Sequence, residues 1–321
     1  MSHVTLKEIL KDTRDRKYAV PNLAACNLEM LIGIIKAAEE KKAPVIICYN
    51  KQLSHGIPIE LAMPLLVNAA ERAKVPIATI LDHGSDFKDI VKSIHYSSSS
   101  VMFDGSGLSF EENIKRTKEI VKIAHSIGVS VEAELGGVGG SAVEKTATSS
   151  AESIATKPEE AVEFVNQTKI DALAIAFGNV HGRYKGEPKI DLELVKKIAS
   201  LIDIPLVMHG ASGLTLDSYK PIIESGISKI NYFSAMCRGI YSKMKDLLES
   251  TGEDAFCIDT IQASIVFWYQ ETKKLLDILN CSGKASKSFM TIENKDDYSN
   301  SRLIETISET VYNQIKTKMI K

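Results

Sequence analysis

The stretch PIATILDHGSDF (76–87) decides the fold class of this 321-residue chain. It begins as an apolar run rich in β-branched residues, and the run ends abruptly at Asp82, His83 and Gly84. A nearly continuous apolar run without polar alternation is typical of a buried strand in a parallel sheet. The stretch therefore predicts a buried strand that carries a carboxylate and an imidazole at its carboxyl end.

Runs of the same kind recur along the whole chain. Together with 76–82 they are residues 18–23, 44–49, 100–105, 130–136, 172–178, 205–210 and 229–234. Segments with helical periodicity lie between most of them, at 28–41, 58–74, 110–127, 157–167, 191–201 and 216–225. Strands that alternate with helices predict parallel βαβ units, and eight units predict a (β/α)8 TIM barrel. The competing fold, an open doubly wound sheet, would carry a GxGxxG motif after its first strand, and this chain does not.

Two segments depart from this alternation. Residues 136–156 are rich in Gly, Ser, Thr and Ala and follow the fifth strand, which predicts a loop over the barrel mouth. The amphipathic run IETISETVYNQIKTKMI (304–320) lies near the end of the chain. We therefore expect a barrel domain over residues 1–286 and a C-terminal helical extension over 287–321, packed on the barrel or on a partner subunit.

Composition excludes several classes of protein. Lys and Arg number 39 and Asp and Glu number 41, so the net charge of −2 argues against a nucleic-acid binder that works through bulk positive charge. No apolar run approaches the roughly 20 residues that a membrane span needs. The first 20 residues lack an apolar signal core, and the five cysteines are scattered and odd in number. These features predict reduced thiols and a cytoplasmic location.

Three of the seven histidines, His83, His181 and His209, fall at or just after carboxyl ends of predicted strands. In a barrel these ends converge on the active site. Three neutral imidazoles with an open fourth position form a catalytic zinc arrangement, although any one of them could instead be a hydrogen-bonded structural residue. Asp104 and Glu134 are expected either to orient these histidines or to offer an alternative metal position.

Asp82 directly precedes one of these histidines. A carboxylate beside a Lewis-acidic metal suits proton transfer to or from a substrate oxygen. The alternative is that Asp82 caps the next helix.

Glycine-rich turns follow the late strands at Gly182 and at 210–213, and Asn231–Ser234 follow at the end of the last strand. Such turns offer backbone N–H groups to a phosphate, and Lys185 could add a positive charge.

The motifs at these strand ends, in their order, resemble those of the class II (zinc-dependent) fructose-bisphosphate and tagatose-bisphosphate aldolases, over about residues 18–286. They are LDHGSDF (81–87), SVMFDGS (100–106), SVEAELGGVGG (130–140), HGRYKGEPKID (181–191), PLVMHGASGL (205–214) and GISKINYFS (226–234).

The resemblance implies a set of site residues. The implied ligands of the catalytic Zn²⁺ are His83, His181 and His209. Asp82 is implied as the general acid/base at the C4 oxygen of the substrate, and Asp104 and Glu134 as the holders of a second or inactive metal position, divalent or monovalent. The implied binders of dihydroxyacetone phosphate are Gly182, Gly210, Ser212, Asn231 and Ser234, with Lys185 nearby. Members are commonly dimers or tetramers, so we expect a homodimer or homotetramer.

Several positions depart from the family pattern. Ala142 stands where the mobile loop usually carries a Glu that handles the C3 proton, and Glu144 lies two residues later. Ala24 replaces a usual Asn, Asn50 replaces a small hydroxyl residue, and Tyr232 and Phe233 follow Asn231 where smaller or acidic residues are usual. No Arg occurs between positions 238 and 302, where many members bind the distal phosphate. These changes leave the implied zinc site whole and alter the residues around the substrate.

We therefore expect a lyase of carbohydrate metabolism, such as glycolysis. It would cleave a fructose- or tagatose-bisphosphate-like ketose phosphate to dihydroxyacetone phosphate and an aldehyde, and condense them in reverse. The alternative is an aldolase-like protein that binds a sugar phosphate with weak or lost catalysis, which Ala24 and Ala142 would explain. A hydrolase of the amidohydrolase type is disfavoured because the first strand has no HxH pair.

Overall fold

The computed structural model describes residues 2–54, 56–139, 154–182, 184, 186–251 and 256–285. Eight parallel strands close into a single barrel in chain order, so the predicted (β/α)8 TIM barrel is confirmed. The strands are β1 (Val20–Ala24), β2 (Val45–Tyr49), β3 (Ile77–Gly84), β4 (Ser100–Phe103), β5 (Ser130–Leu135), β6 (Ala172–Ile175), β7 (Leu206–Met208) and β8 (Ile227–Asn231).

Helices surround this barrel. In the described part of the chain they are α1 (Leu6–Leu10), α2 (Thr13–Arg16), α3 (Leu28–Glu40), α4 (Ile59–Arg72), α5 (Phe87–His95), α6 (Phe110–His125), α7 (Pro158–Thr168), α8 (Leu192–Leu201), α9 (Tyr219–Glu224), α10 (Ser234–Thr251) and α11 (Cys257–Ile278). None of them is both long and apolar enough to cross a membrane.

Local capping explains where several helices begin. The side chain of Asn27 accepts a hydrogen bond from the Met30 N–H at the start of α3. Helix α5 is not among the predicted helices, and its N-cap is Asp86, whose side chain accepts from the Lys88 N–H. The predicted alternative for Asp82, a cap of this helix, is therefore wrong.

The N-terminal segment closes the amino end of the barrel. The Val4 N–H donates to the Ile77 carbonyl (3.0 Å), and α1 begins with its Leu6 N–H on Ser100 Oγ (2.9 Å) and its Lys7 N–H on Ser130 Oγ (3.2 Å). The first residues of the chain thus contact β3, β4 and β5 at the end opposite the predicted site.

Helix α11 packs across α3 at Gly33. A methyl group at Gly33 would lie 2.7 Å from Trp268 Cβ and 2.8 Å from the Ile265 carbonyl oxygen, so this crossing requires glycine. The close approach places Trp268, the only tryptophan of the chain, beside the first strands of the barrel.

The predicted extension at 287–321 lies outside the described residues, and so does most of the predicted loop at 136–156. The division into a barrel domain and an extension therefore stays a prediction.

We expect Gly33→Ala to destabilise the protein by about 1–3 kcal/mol, because the added methyl group overpacks the contact between α3 and α11. The matched control is Gly239→Ala in α10, where no described atom lies within 4 Å of the added methyl group. In that exposed helix the change should stabilise by about 0.5–1 kcal/mol through helix propensity. Urea unfolding followed by Trp268 fluorescence measures both, and an equal effect of the two changes would contradict the packing argument.

Candidate active site

A cavity of about 50 Å³ opens at the carboxyl ends of the strands. Most of the predicted site residues line it: Asp82, His83, His181, Gly182, Gly210, Ser212, Asn231 and Ser234. His209 is fully buried just beneath it. Glu144 and Lys185 lie outside the described residues.

The three predicted histidines converge. One ring nitrogen from each of His83, His181 and His209 lies within 4.8 Å of the others. The Nδ1 atom of His209 is 3.0 Å from the Nε2 atom of His83. Two nitrogens that share a tetrahedral zinc ion at about 2.0–2.1 Å stand roughly 3.4 Å apart. The set therefore has the donor type and spacing of a three-histidine metal site.

His83 also belongs to a second cluster, with Asp104 and Glu134, whose ligand atoms again lie within 4.8 Å of one another. Asp104 Oδ2 is 2.9 Å from His83 Nδ1, which leaves Nε2 of the same ring facing the other histidines. Glu134 Oε2 is buried and has no hydrogen-bond partner in the described part of the chain, and a cation would satisfy it. The geometry thus allows both roles expected for these carboxylates.

The charged groups around the three histidines favour binding of a cation there. Burial lowers the pKa of His83, but Asp82, Asp104 and Glu134 outweigh burial and raise it to about 9. Burial, with the charge on His83, lowers the pKa of His181 to about 3, and the pKa of His209 falls for the same reasons. These two rings are therefore neutral at pH 7, which is the form that ligates a metal.

Asp82 is held by three amide groups. The Nδ2 atoms of Asn22 and Asn231 donate to its Oδ1 at 3.2 and 3.0 Å, and Nδ2 of Asn50 donates to its Oδ2 at 3.3 Å. Burial would raise the pKa of Asp82, but the charges of His83 and Lys229 lower it below its ordinary value. Asp82 is thus an ionised, oriented carboxylate beside the histidine cluster.

Both polar atoms of the Asn50 side-chain amide make hydrogen bonds. While Nδ2 reaches Asp82, Oδ1 accepts from the N–H groups of Gln52 and Leu53 at 3.0 and 3.3 Å. The residue that departs from the family pattern therefore links the acid/base candidate to Leu53, a wall of the cavity.

An ion pair that the strand pattern does not predict lies inside the barrel. Glu132 of β5 and Lys229 of β8 are both fully buried, with Lys229 Nζ 2.9 Å from Glu132 Oε1. The same Oε1 atom is 3.0 Å from Nε2 of His209. A carboxylate that accepts from one ring nitrogen fixes the tautomer and direction of the other, so Glu132 aims His209 Nδ1 at His83. A Lys within a strand that is predicted to be buried is the sequence signal that could have found this pair.

Phe233 gives the cavity an apolar wall. Its ring stacks on Trp268 of α11, with centroids 6.3 Å apart and planes at 26°. Tyr232, in contrast, packs on Tyr219 and is not among the described residues that line the cavity. Of the two aromatic residues that depart from the family pattern, Phe233 is therefore the one that lines the cavity.

Comparison with known proteins agrees with this geometry. The sequence model of the family "Fructose-bisphosphate aldolase class-II" matches residues 4–284. A protein of Escherichia coli K12 named "Uncharacterized protein YdjI" is 39% identical over 235 residues, which cover 73% of this chain and 84% of the relative. The fructose-bisphosphate aldolase of Geobacillus stearothermophilus is 41% identical over 234 residues, which cover 72% of this chain and 80% of the relative.

A solved structure supports the same assignment. The crystal structure named "YdjI aldolase" from Escherichia coli K12 superposes with a TM-score of 0.78 at 32% identity, covering 88% of this chain and 99% of that one. Since the family match spans the barrel from its N-terminal segment to the end of the described residues, the chain belongs to the class II fructose-bisphosphate aldolase family.

Proposed function

We propose that this protein is a zinc-dependent aldolase that cleaves a ketose phosphate to dihydroxyacetone phosphate and an aldehyde, and that condenses them in reverse. The observation that carries the proposal is the convergence of three histidine nitrogens within 4.8 Å, next to the buried carboxylate of Asp82. Family membership supports the reaction class, and the neutral imidazoles of His181 and His209 support a soft divalent ion such as zinc.

The residues that would hold the ion are His83, His181 and His209, with Asp104 and Glu134 available for a second divalent or monovalent cation. When bound, zinc would supply Lewis acidity to the ketose carbonyl and stabilise the negative charge that develops there during cleavage.

The proton steps fall to side chains of the chain itself. In cleavage, Asp82 accepts the C4 hydroxyl proton as the C3–C4 bond breaks and the aldehyde forms. Its three amide donors hold the carboxylate in one orientation, and its lowered pKa keeps it ionised to act as the base. In condensation, Asp82 returns a proton to the new C4 oxygen. Glu144 is our candidate for removing the C3 proton of dihydroxyacetone phosphate.

The phosphate of the substrate would lie against the glycine turns. Gly182 and Gly210 have φ of 83° and 67°, a region that favours glycine, and a methyl group at Gly210 would lie 2.4 Å from the Val180 backbone. Ser212 and Ser234 flank the same side of the cavity, and the Phe233 N–H donates to Ser212 Oγ at 3.2 Å. These groups and Asn231 form the proposed binding site for dihydroxyacetone phosphate, and Lys185 is our candidate for an added positive charge.

Part of the cavity wall carries no charged side chain. The wall formed by Phe233 and Leu53 is apolar, and the sequence has no Arg between 238 and 302. Both features support a ketose phosphate that differs from fructose 1,6-bisphosphate or that carries one phosphate.

An alternative is an aldolase-like protein that binds a sugar phosphate without turnover, which Ala142 favours. Stabilisation by dihydroxyacetone phosphate in a thermal shift assay, with no cleavage of any ketose phosphate, would establish it. Assembly into a homodimer or homotetramer and a cytoplasmic location stay predictions. Light scattering would measure the oligomeric state.

Zinc-loaded protein should release triose phosphate from at least one member of a panel of ketose mono- and bisphosphates. EDTA should stop turnover, and added Zn²⁺ should restore it. His209→Ala should lose bound zinc and lower kcat by a factor of about 10³ or more, because it removes one of three ligands. The control His95→Ala, at an exposed position, should keep both. Cleavage that survives EDTA, or a fully active His209→Ala, would overturn the zinc assignment.

Removing the buried pair should weaken zinc binding by about 10–100-fold, because His209 loses its orienting partner. Glu132→Gln alone leaves Lys229 buried without its partner and should cost about 3–5 kcal/mol of stability. The double change Glu132→Gln/Lys229→Met removes both charges and should recover most of the stability but not the zinc affinity. Competition with a chelator measures the affinity, and wild-type affinity in the double variant would contradict the role of Glu132.

Glu144→Ala tests the C3 proton step separately from C4 chemistry. Exchange of the C3 proton of dihydroxyacetone phosphate with solvent deuterium, followed by NMR, should slow by about 10²-fold if Glu144 is the base. Glu160→Ala, on the exposed face of α7, serves as the control. An unchanged exchange rate in Glu144→Ala would remove this residue from the mechanism.

A further inference from the structure

Three consecutive backbone carbonyl groups of the turn after β7 each accept a hydrogen bond from a buried or half-buried side chain. The pairs are Asn179 Nδ2 on the His209 carbonyl (2.9 Å), the Tyr184 hydroxyl on the Gly210 carbonyl (3.0 Å) and the Tyr219 hydroxyl on the Ala211 carbonyl (2.7 Å). The three donors come from the loop after β6 and from α9. Each of these three peptide groups is therefore held in place by a side chain, either from the loop after β6 or from α9, which follows the turn.

Fixing a carbonyl also fixes the next N–H group. A trans peptide is planar, so the N–H of each following residue points away from the carbonyl that precedes it. The N–H groups of Gly210, Ala211 and Ser212 are thus turned away from the three holding side chains. These residues line the cavity, whereas Asn179, Tyr184 and Tyr219 are not among the described residues that do. None of the three N–H groups donates to another residue in the part of the chain that the structure describes.

The two tyrosines are themselves closely packed. Tyr219 is fully buried, and the Tyr184 ring lies so near Gly213 that a methyl group there would be 2.3 Å from Tyr184 Cδ2. Burial raises the pKa of Tyr184 to about 12 and raises that of Tyr219 further, so both hydroxyls stay protonated and donate at neutral pH. Neither tyrosine hydroxyl can move away from the carbonyl oxygen that it binds without disturbing the packing around its ring.

We propose that Tyr184 and Tyr219 are positioning residues for the phosphate of the substrate, because their hydroxyls lock the peptide groups after β7 with the N–H donors of Ala211 and Ser212 facing the cavity. Donors that are already oriented need no rearrangement when an anion arrives, which strengthens binding. The inference rests on the proposed function, since it concerns the phosphate-binding turn of that site. It assigns roles to two residues that never touch the substrate.

Tyr184→Phe and Tyr219→Phe test the proposal by removing one hydroxyl each. The KM for dihydroxyacetone phosphate in condensation should rise about five- to tenfold in each variant, as expected for one lost hydrogen bond, with kcat within about twofold of wild type. The preference for dihydroxyacetone phosphate over dihydroxyacetone should fall by the same factor. Tyr18→Phe, which removes a hydroxyl bonded to Asp12 at the other end of the barrel, is the matched control and should change neither value. Equal losses with both ketones would indicate general damage and would overturn the proposal.

Binding of inorganic phosphate, measured by calorimetry on the zinc-loaded protein, tests the same inference without turnover. Affinity should fall about five- to tenfold in Tyr184→Phe and Tyr219→Phe, while zinc content and the melting temperature of Tyr184→Phe stay near wild type. Gly213→Ala, which displaces the Tyr184 ring, should weaken phosphate binding to a similar extent. If wild type cleaves no ketose phosphate but the variants still lose phosphate affinity, the proposed function fails and the positioning role stands. Unchanged phosphate affinity in both tyrosine variants refutes the role.

Discussion

The contact of Glu132 with Lys229 and His209 is the interaction on which the whole site depends. Burying a carboxylate and an ammonium inside a barrel is costly, and such a pair is tolerated only where its geometry satisfies both charges. Here the pair joins β5 to β8, and the shared carboxylate oxygen also aims His209 of the turn after β7. The positive charge of Lys229 reaches Asp82 as well and helps to keep it ionised. One buried pair thus acts on both the histidine cluster and the carboxylate of Asp82.

Most of the fold follows from the sequence because the strands of a parallel barrel are uniformly apolar. The run before Asp82 is buried at every position up to His83, and that contrast makes its polar end conspicuous. Helix α5 carries apolar residues at helical spacing, Phe87, Ile90, Val91 and Ile94, but it has only nine residues and begins directly after the strand-end motif, so it is easily missed. The same holds for α1 and α2, which are short and depend on contacts with distant strands.

The site was only partly predictable for a related reason. Three histidines at or just after strand ends are visible in the linear sequence, because the runs that precede them are apolar. The partners Asn22, Glu132 and Lys229 lie within strands, and their meaning depends on which strands face each other across the barrel. Asn22 pairs in register with Asn231 only because the barrel closes β1 against β8. These contacts form only when the barrel closes, so the local spacing of residues along the chain does not predict them.

The N-terminal segment has a consequence for the order of events during synthesis. Its backbone is bound by Ile77, Ser100 and Ser130, so the first ten residues leave the ribosome well before their partners exist. At about 5–20 residues per second, the chain needs roughly 6–25 s to extend from α1 to β5. The apolar side chains of Leu6, Ile9 and Leu10, which are buried in the finished barrel, stay without these partners throughout that interval. During synthesis these apolar side chains are therefore made before the strands that cover them, and the base of the barrel is closed by a segment that is translated earlier than its partners.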